Sequence, residues 1–234
     1  MIKLSKEHIK GEKTYQQVQE KITSYYKQNK DNSESDDYKE ADEVALAIYE
    51  ILNDKSFRFD YLTLKNYHQR LFCNLDKEKY NPGNFRLYNM PKKEPILNGD
   101  TVNYQFYDMI LASLKYDLEE EKEQDYLNFN DDQLINRICE FTSRIWQIHP
   151  FQEGNTRTTA LFIQKYLLSM GFKVNNELFK DNFKYFRNTL VRANYTNYQK
   201  GVKADKKYLI KFFENLLLGK NNKLDNYELQ VPEL

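Results

Sequence analysis

The chain has 234 residues, is 40% hydrophobic and carries 35 Lys+Arg against 35 Asp+Glu. That length suits one large domain or one domain with a small appendage, and the balanced charge excludes a general electrostatic footprint for nucleic acid or an anionic membrane. Cys73 and Cys139 form neither a disulfide framework nor a metal-finger spacing, and the absence of an apolar run near 18 residues or a signal-peptide core makes a soluble, cytoplasmic protein the expectation.

Only 7 Gly and 5 Pro occur, beside 19 Tyr and 15 Phe, so long uninterrupted helices with an aromatic core are expected. The polar stretch 27–37 predicts a loop between two helical segments. Ser35 or Asp36 can cap the second, which runs to about Ile51 with Ala41, Val44, Ala45, Ile48 and Ile51 on one face. A third helix near Leu62–Asn74 carries Leu64, Tyr67, His68 and Leu71. Asn81-Pro82-Gly83-Asn84 reads as a turn, Phe85–Tyr88 as a short strand, and Asn98-Gly99 as a hairpin turn. A small β-hairpin is therefore predicted at about Phe85–Tyr104.

Helices resume at about Asn103–Glu121 and again from Asp131 or Asp132 to Ile148. In the latter, Leu134, Ile135, Ile138, Phe141, Ile145 and Ile148 recur at three and four and predict one buried face. Pro150 stops that helix; the next runs from near Gly154 to Gly171. Two more are predicted at about 176–194 and 206–218, followed by a loose polar tail. The predicted fold class is mainly α, a helical bundle with one small β-hairpin. Residues 57–218 form its core, 1–56 an N-terminal helical segment and 219–234 the tail.

The loop His149-Pro150-Phe151-Gln152-Glu153 joins two helices, and the second opens with Gly154-Asn155-Thr156-Arg157. A helix N-terminus offers unpaired backbone N–H groups and partial positive charge, which attract phosphate. Gly154 would let a phosphate approach the backbone, and Arg157 adds a bidentate clamp one turn in. Glu153 is a hard oxygen ligand suited to Mg²⁺, and His149 is a titratable base at the mouth of the loop. On these residues alone, a phosphate site and a structural loop with a capping histidine remain about equally open.

The run HPFQEGNTR resembles the signature loop of the Fic family, His-x-Phe-x-[Asp/Glu]-Gly-Asn-[Gly/Lys]-Arg-x-x-Arg. The resemblance extends over about Phe57–Leu218, because the hairpin and flanking helices stand in the family's order. It implies a Fic-type helical bundle and a protein adenylyltransferase that moves AMP from ATP to a Tyr, Thr or Ser hydroxyl of a target protein, using Mg²⁺ or Mn²⁺. By the same resemblance His149 is the catalytic base and Glu153 the metal ligand. Gly154, Asn155 and Thr156 line the anion hole, with Asn155 on the α-phosphate, and Arg157 holds the β-phosphate. Phe151 anchors the loop.

The hairpin would be a flap that pairs with an extended target segment, with Ile96 or Leu97 in Met90–Leu97 as the clamp; a purely structural hairpin is the other reading. Thr156 stands where the family has a small residue. Ala160 stands where it has the second Arg, the residue that binds the γ-phosphate and pairs with an inhibitory Glu. Ser24–Asn29 matches the spacing of the family's inhibitory motif with Gln28 in place of Glu, and the alternative is that Ser24 and Gln28 are ordinary helix-surface residues. Weak or absent inhibition is the consequence. Self-modification at Tyr25, Tyr26 or Tyr38 is expected. The remaining alternatives are transfer of UMP or phosphate, and a non-catalytic helical interaction module that binds phosphate. The residues name neither the target protein nor the oligomeric state.

Overall fold

The computed structural model describes residues 14–28 and 34–232, with the side chains of 27, 28 and 34–36 left out. Among the described residues the α-helices are α1 (Tyr15–Gln28), α2 (Glu34–Asn53), α3 (Tyr61–Phe72), α4 (Lys77–Tyr80), α5 (Ile110–Lys122), α6 (Asp131–Ile148), α7 (Asn155–Ser169), α8 (Asn176–Asp181), α9 (Phe183–Asn194) and α10 (Lys207–Leu218). None is long and apolar enough to cross a membrane. The predicted caps at Ser35 and Asp36 lie outside the described side chains.

Helix α6 is the central element, touching α5, α7, α9 and α10. A capping box starts it: Asn130 Oδ1 accepts from the Gln133 N–H and Gln133 Oε1 from the Asn130 N–H, both at 2.9 Å. Asp131 and Asp132 complement the helix dipole in the first turn. Ile135, Ile138, Phe141, Ile145 and Ile148 are buried, as their spacing predicts. The helix ends where His149 turns left-handed at φ 49°, ahead of Pro150, which can neither donate nor continue the helix.

Three expectations are corrected. The predicted 176–194 helix divides at Asn182, whose φ of −120° lies outside the helical range. The tail is docked: Leu229 and Val231 are buried, and the Val231 N–H donates to Ile96 O at 2.9 Å. The third correction concerns the hairpin. Among the described residues of 85–104, one antiparallel bridge forms, Lys93 to Thr101. Asn98 (φ 55°) and Gly99 (φ 84°) make the turn that their sequence signals, but it closes a one-turn 3₁₀ helix, Pro95–Leu97. Ile96 and Leu97 belong to the main core, and that burial pulls the chain out of ladder geometry. Pro95 also removes a strand donor. Glu94, fully buried, ties this loop to α9 through an ion pair with Arg187 at 2.7 Å.

Candidate active site

The motif loop is held both by its own side chains and by groups lying far from it in sequence. Asn155 Nδ2 donates to Phe151 O (2.7 Å) and Asn155 Oδ1 accepts from Phe151 N–H (2.9 Å). Both ends of the amide are thus used, and the residue is buried. The Asn155 side chain therefore braces the loop, and its backbone N–H, in the first turn of α7, is the group left to line the expected anion hole. Thr156 is a second brace, accepting from the Trp146 indole N–H at 2.9 Å. Phe151 anchors as expected, stacked on His68 with ring centroids 3.8 Å apart.

His68, on α3, also fixes Glu153. The Gly83 N–H donates to its Nδ1 at 2.9 Å and its Nε2 lies 3.0 Å from Glu153 O, so the ring is the neutral Nε2–H tautomer. Arg86 fixes the other end of the loop. Its guanidinium is almost fully buried and donates to the backbone carbonyls of His149 (2.7 Å), Tyr88 (2.6 Å), Ile148 (3.3 Å) and Gln105. Gly154 is required by packing: at φ 80° a Cβ would lie 2.4 Å from the Phe72 ring. No side chain caps α7, which leaves the N–H groups of its first turn for an anion.

Each chemical group on this frame is paired or covered. His149 is 3% exposed with neither ring nitrogen hydrogen-bonded. Tyr104 stacks on it at 4.0 Å, and Trp146 meets it edge-on. Burial drives its pKa well below the usual histidine value, helped by the charges of Lys92 and Arg86, so the ring is a neutral acceptor at pH 7. Burial works to raise the Glu153 carboxyl, but the Lys92 ammonium, 3.0 Å away, prevails and lowers it. Arg157 pairs with Glu40 of α2 at 2.8 Å and donates to the Tyr80 hydroxyl at 2.9 Å. Burial also works to raise the Glu40 carboxyl, and bonds from Tyr80, Arg157 and Lys79 overcome it and hold it ionised.

Among the described residues no group of three or more His, Cys, Asp or Glu could hold a metal ion. A single carboxylate binds Mg²⁺ only together with phosphate oxygens and waters. Glu153 therefore fits a metal carried in by a nucleotide, and Lys92 must leave it first.

The remaining sequence expectations are placed as follows. Ile96 and Leu97 are buried and so cannot clamp a target in this arrangement; the exposed apolar residues near the loop are Leu87 and Tyr88. Ser24 is exposed and its hydroxyl donates within its own helix, to Glu20 O; the Gln28 side chain lies outside the described residues. Tyr26 is buried with its hydroxyl on Asp42 at 2.7 Å, so of the self-modification candidates Tyr25 and Tyr38 are the exposed ones. Sequence reading overlooked His68, Arg86, Lys92 and Glu40 as site residues. The one available signal was Arg86 between apolar neighbours, since a charge in such a run needs partners.

A pH dependence follows. Burial pushes His68 down to about 4. Below about pH 6.5 the unfolded chain takes up a proton that the folded His68 refuses, so its contribution is complete above that pH and is lost as pH falls toward 4. The unfolding free energy of the wild type relative to His68→Gln should shrink by roughly 2 kcal/mol between pH 7.5 and 5. Urea titrations at the two pH values check this, and a difference independent of pH would contradict it.

Comparison with known proteins gives a consistent result. Residues 58–167 match the model of the Fic/DOC family. Among solved structures, the N-terminal Fic domain of a Bep effector protein from Bartonella sp. AR 15-3 aligns with a TM-score of 0.61 at 17% identity, covering 80% of this chain and 83% of that one. BepC from Bartonella tribocorum, solved with bound AMPPNP, aligns at 0.60 and 14% identity, covering 79% and 87%. The N-terminal Fic domain of a Bep effector from Bartonella quintana, solved with bound ADP, aligns at 0.59 and 20% identity, covering 79% and 86%. At these identities the likeness is one of fold. No curated protein matches the chain.

Proposed function

We propose that this chain, which belongs to the Fic/DOC family through residues 58–167, transfers AMP from ATP to a Tyr, Thr or Ser hydroxyl of a target protein. The observation that carries this reading is His149: a buried neutral imidazole with both nitrogens unpartnered, one short loop away from an uncapped helix N-terminus. A buried polar atom without a partner costs about 1–3 kcal/mol. Such a cost is expected where a base must be ready to accept a proton.

In the reaction the target hydroxyl oxygen bonds to the α-phosphorus as its proton passes to His149. The bond from that phosphorus to the bridging oxygen breaks, and pyrophosphate leaves with the electron pair. The first-turn N–H groups of α7 receive the phosphate oxygens, and Arg157 turns from Glu40 to the β-phosphate. A divalent cation on Glu153 and the phosphates would offset charge on the leaving group. Tyr104 must move off the imidazole to admit the hydroxyl. The target segment would lie along Met90–Lys93 by strand addition, meeting Leu87 and Tyr88. Two structural neighbours that hold adenine nucleotides support the choice of ATP.

The test is incubation of the full chain and a cell lysate with labelled ATP, UTP or GTP, with Mg²⁺ or with EDTA. Protein labelling from ATP with Mg²⁺, lost in EDTA, is the expected result, and an intact-mass adduct on Tyr25 or Tyr38 would be self-modification. Labelling from UTP alone would replace AMP by UMP, label from the γ-phosphate would mean phosphate transfer, and no label with retained nucleotide binding would make the chain a phosphate-binding module.

A further inference from the structure

Lys92 reaches the motif loop from the 90–101 segment. Its Nζ donates to both Glu153 oxygens, at 3.3 and 3.0 Å. Its backbone is fixed from Lys92 onward: the Lys92 N–H donates to Thr101 Oγ1 at 3.1 Å, Lys93 bridges Thr101, and the Glu94 side chain is bound to Arg187. The main chain is therefore held while a four-carbon side chain, 29% exposed, is able to re-aim. The neighbouring cations are committed elsewhere. Arg86 uses its donors on four carbonyls, and Arg157 is on Glu40 and Tyr80. Ala160 contributes no charge at all and packs against the core.

We propose that Lys92 is a catalytic residue that contacts the phosphoryl group being transferred, its ammonium moving from Glu153 onto the non-bridging oxygens when nucleotide binds. This rests on the nucleotidyl-transfer reading above. Two observations place the ammonium there. It holds the carboxylate that a nucleotide-borne metal would take, so nucleotide binding displaces it by no more than the reach of its own side chain. It is bonded directly to Glu153, four residues along the same loop from His149. In the step itself the oxygen–phosphorus bond to the target forms, the phosphorus–pyrophosphate bond breaks, and the proton goes to His149. Lys92 keeps its protons throughout and offsets the charge on the equatorial oxygens. A compact ammonium with three donors suits that task, and removing one such preorganised donor typically costs 10²–10³-fold in rate.

The test compares full-length wild type, Lys92→Met and Lys92→Arg by two readouts. One is the rate of protein labelling from saturating ATP with Mg²⁺. The other is calorimetric affinity for AMPPNP in EDTA, where no metal competes for Glu153. Lys92→Met should label about 100-fold more slowly and bind metal-free AMPPNP about 10-fold more weakly, and Lys92→Arg should recover much of both. If Lys92 merely neutralises Glu153, Lys92→Met will label at the wild-type rate or faster, and its loss of metal-free affinity will vanish when the comparison is made in a Glu153→Gln background; the proposal is then wrong. A wild type that binds AMPPNP but never labels protein removes the transfer reading, and the binding comparison still decides whether Lys92 touches phosphate.

Discussion

Replacing His149 should reduce transfer by roughly 10²–10⁴-fold while leaving nucleotide affinity nearly intact, because a general base acts on the hydroxyl and not on the phosphates. The choice of substitute matters. His149 sits at φ 49°, where Ala is strained and Asn is tolerated, so His149→Asn separates chemistry from backbone strain. Neither replacement can accept a proton with the basicity of imidazole. Because the imidazole nitrogens have no partner in the free protein, His149→Asn exchanges one unpartnered buried polar group for another, and its thermal stability should hold within about 1 kcal/mol. Single-turnover labelling, calorimetric nucleotide affinity and thermal melting check the three parts. An active His149→Asn would take the residue out of the mechanism.

The largest stability effect is expected at Arg86. Its guanidinium satisfies four backbone carbonyls from three chain segments, and Arg86→Met would leave those acceptors without that donor. Charged hydrogen bonds are worth about 1.5–3 kcal/mol each, and breaking a buried charge network typically costs about 3–5 kcal/mol. For a chain of this size the melting temperature should fall by roughly 10 °C. Two of the carbonyls belong to Ile148 and His149, so the variant that remains folded should also lose activity. Lys at 86 cannot reproduce the fork geometry, and Arg86→Lys should recover little. A melting temperature within about 2 °C of wild type would show that water or repacking replaces the guanidinium.

Much of the fold was legible because its signals are local. The three-and-four spacing from Leu134 to Ile148 and the stop at Pro150 both lie within or beside the element they define. The motif was legible for the same reason, being nine consecutive residues. The 85–104 segment misled because Asn98-Gly99 reports only a turn, whereas the burial of Ile96 and Leu97 is decided by core residues far along the chain. The side chains that brace the loop were hidden by distance: His68 meets Glu153 across 85 positions and Glu40 meets Arg157 across 117. The bracing role of the Asn155 side chain was hidden because an amide bonded to Phe151 and one aimed at phosphate leave the same letter in the sequence.

The Glu40–Arg157 contact joins two regions that the family boundaries separate. The matched segment begins at residue 58, and Glu40 lies on α2, ahead of it. On the proposed reading, a phosphate that takes Arg157 competes with Glu40, so nucleotide occupancy and the seating of α2 against α7 would form one linked equilibrium in which each shifts the other by the same factor. A piece of the chain cut at the family limits would present Arg157 to solvent anions with its competitor removed. Nucleotide affinities measured on such a piece would therefore describe a different receptor from the whole chain, and a spectroscopic label on α2 would report phosphate binding from outside the domain that performs it.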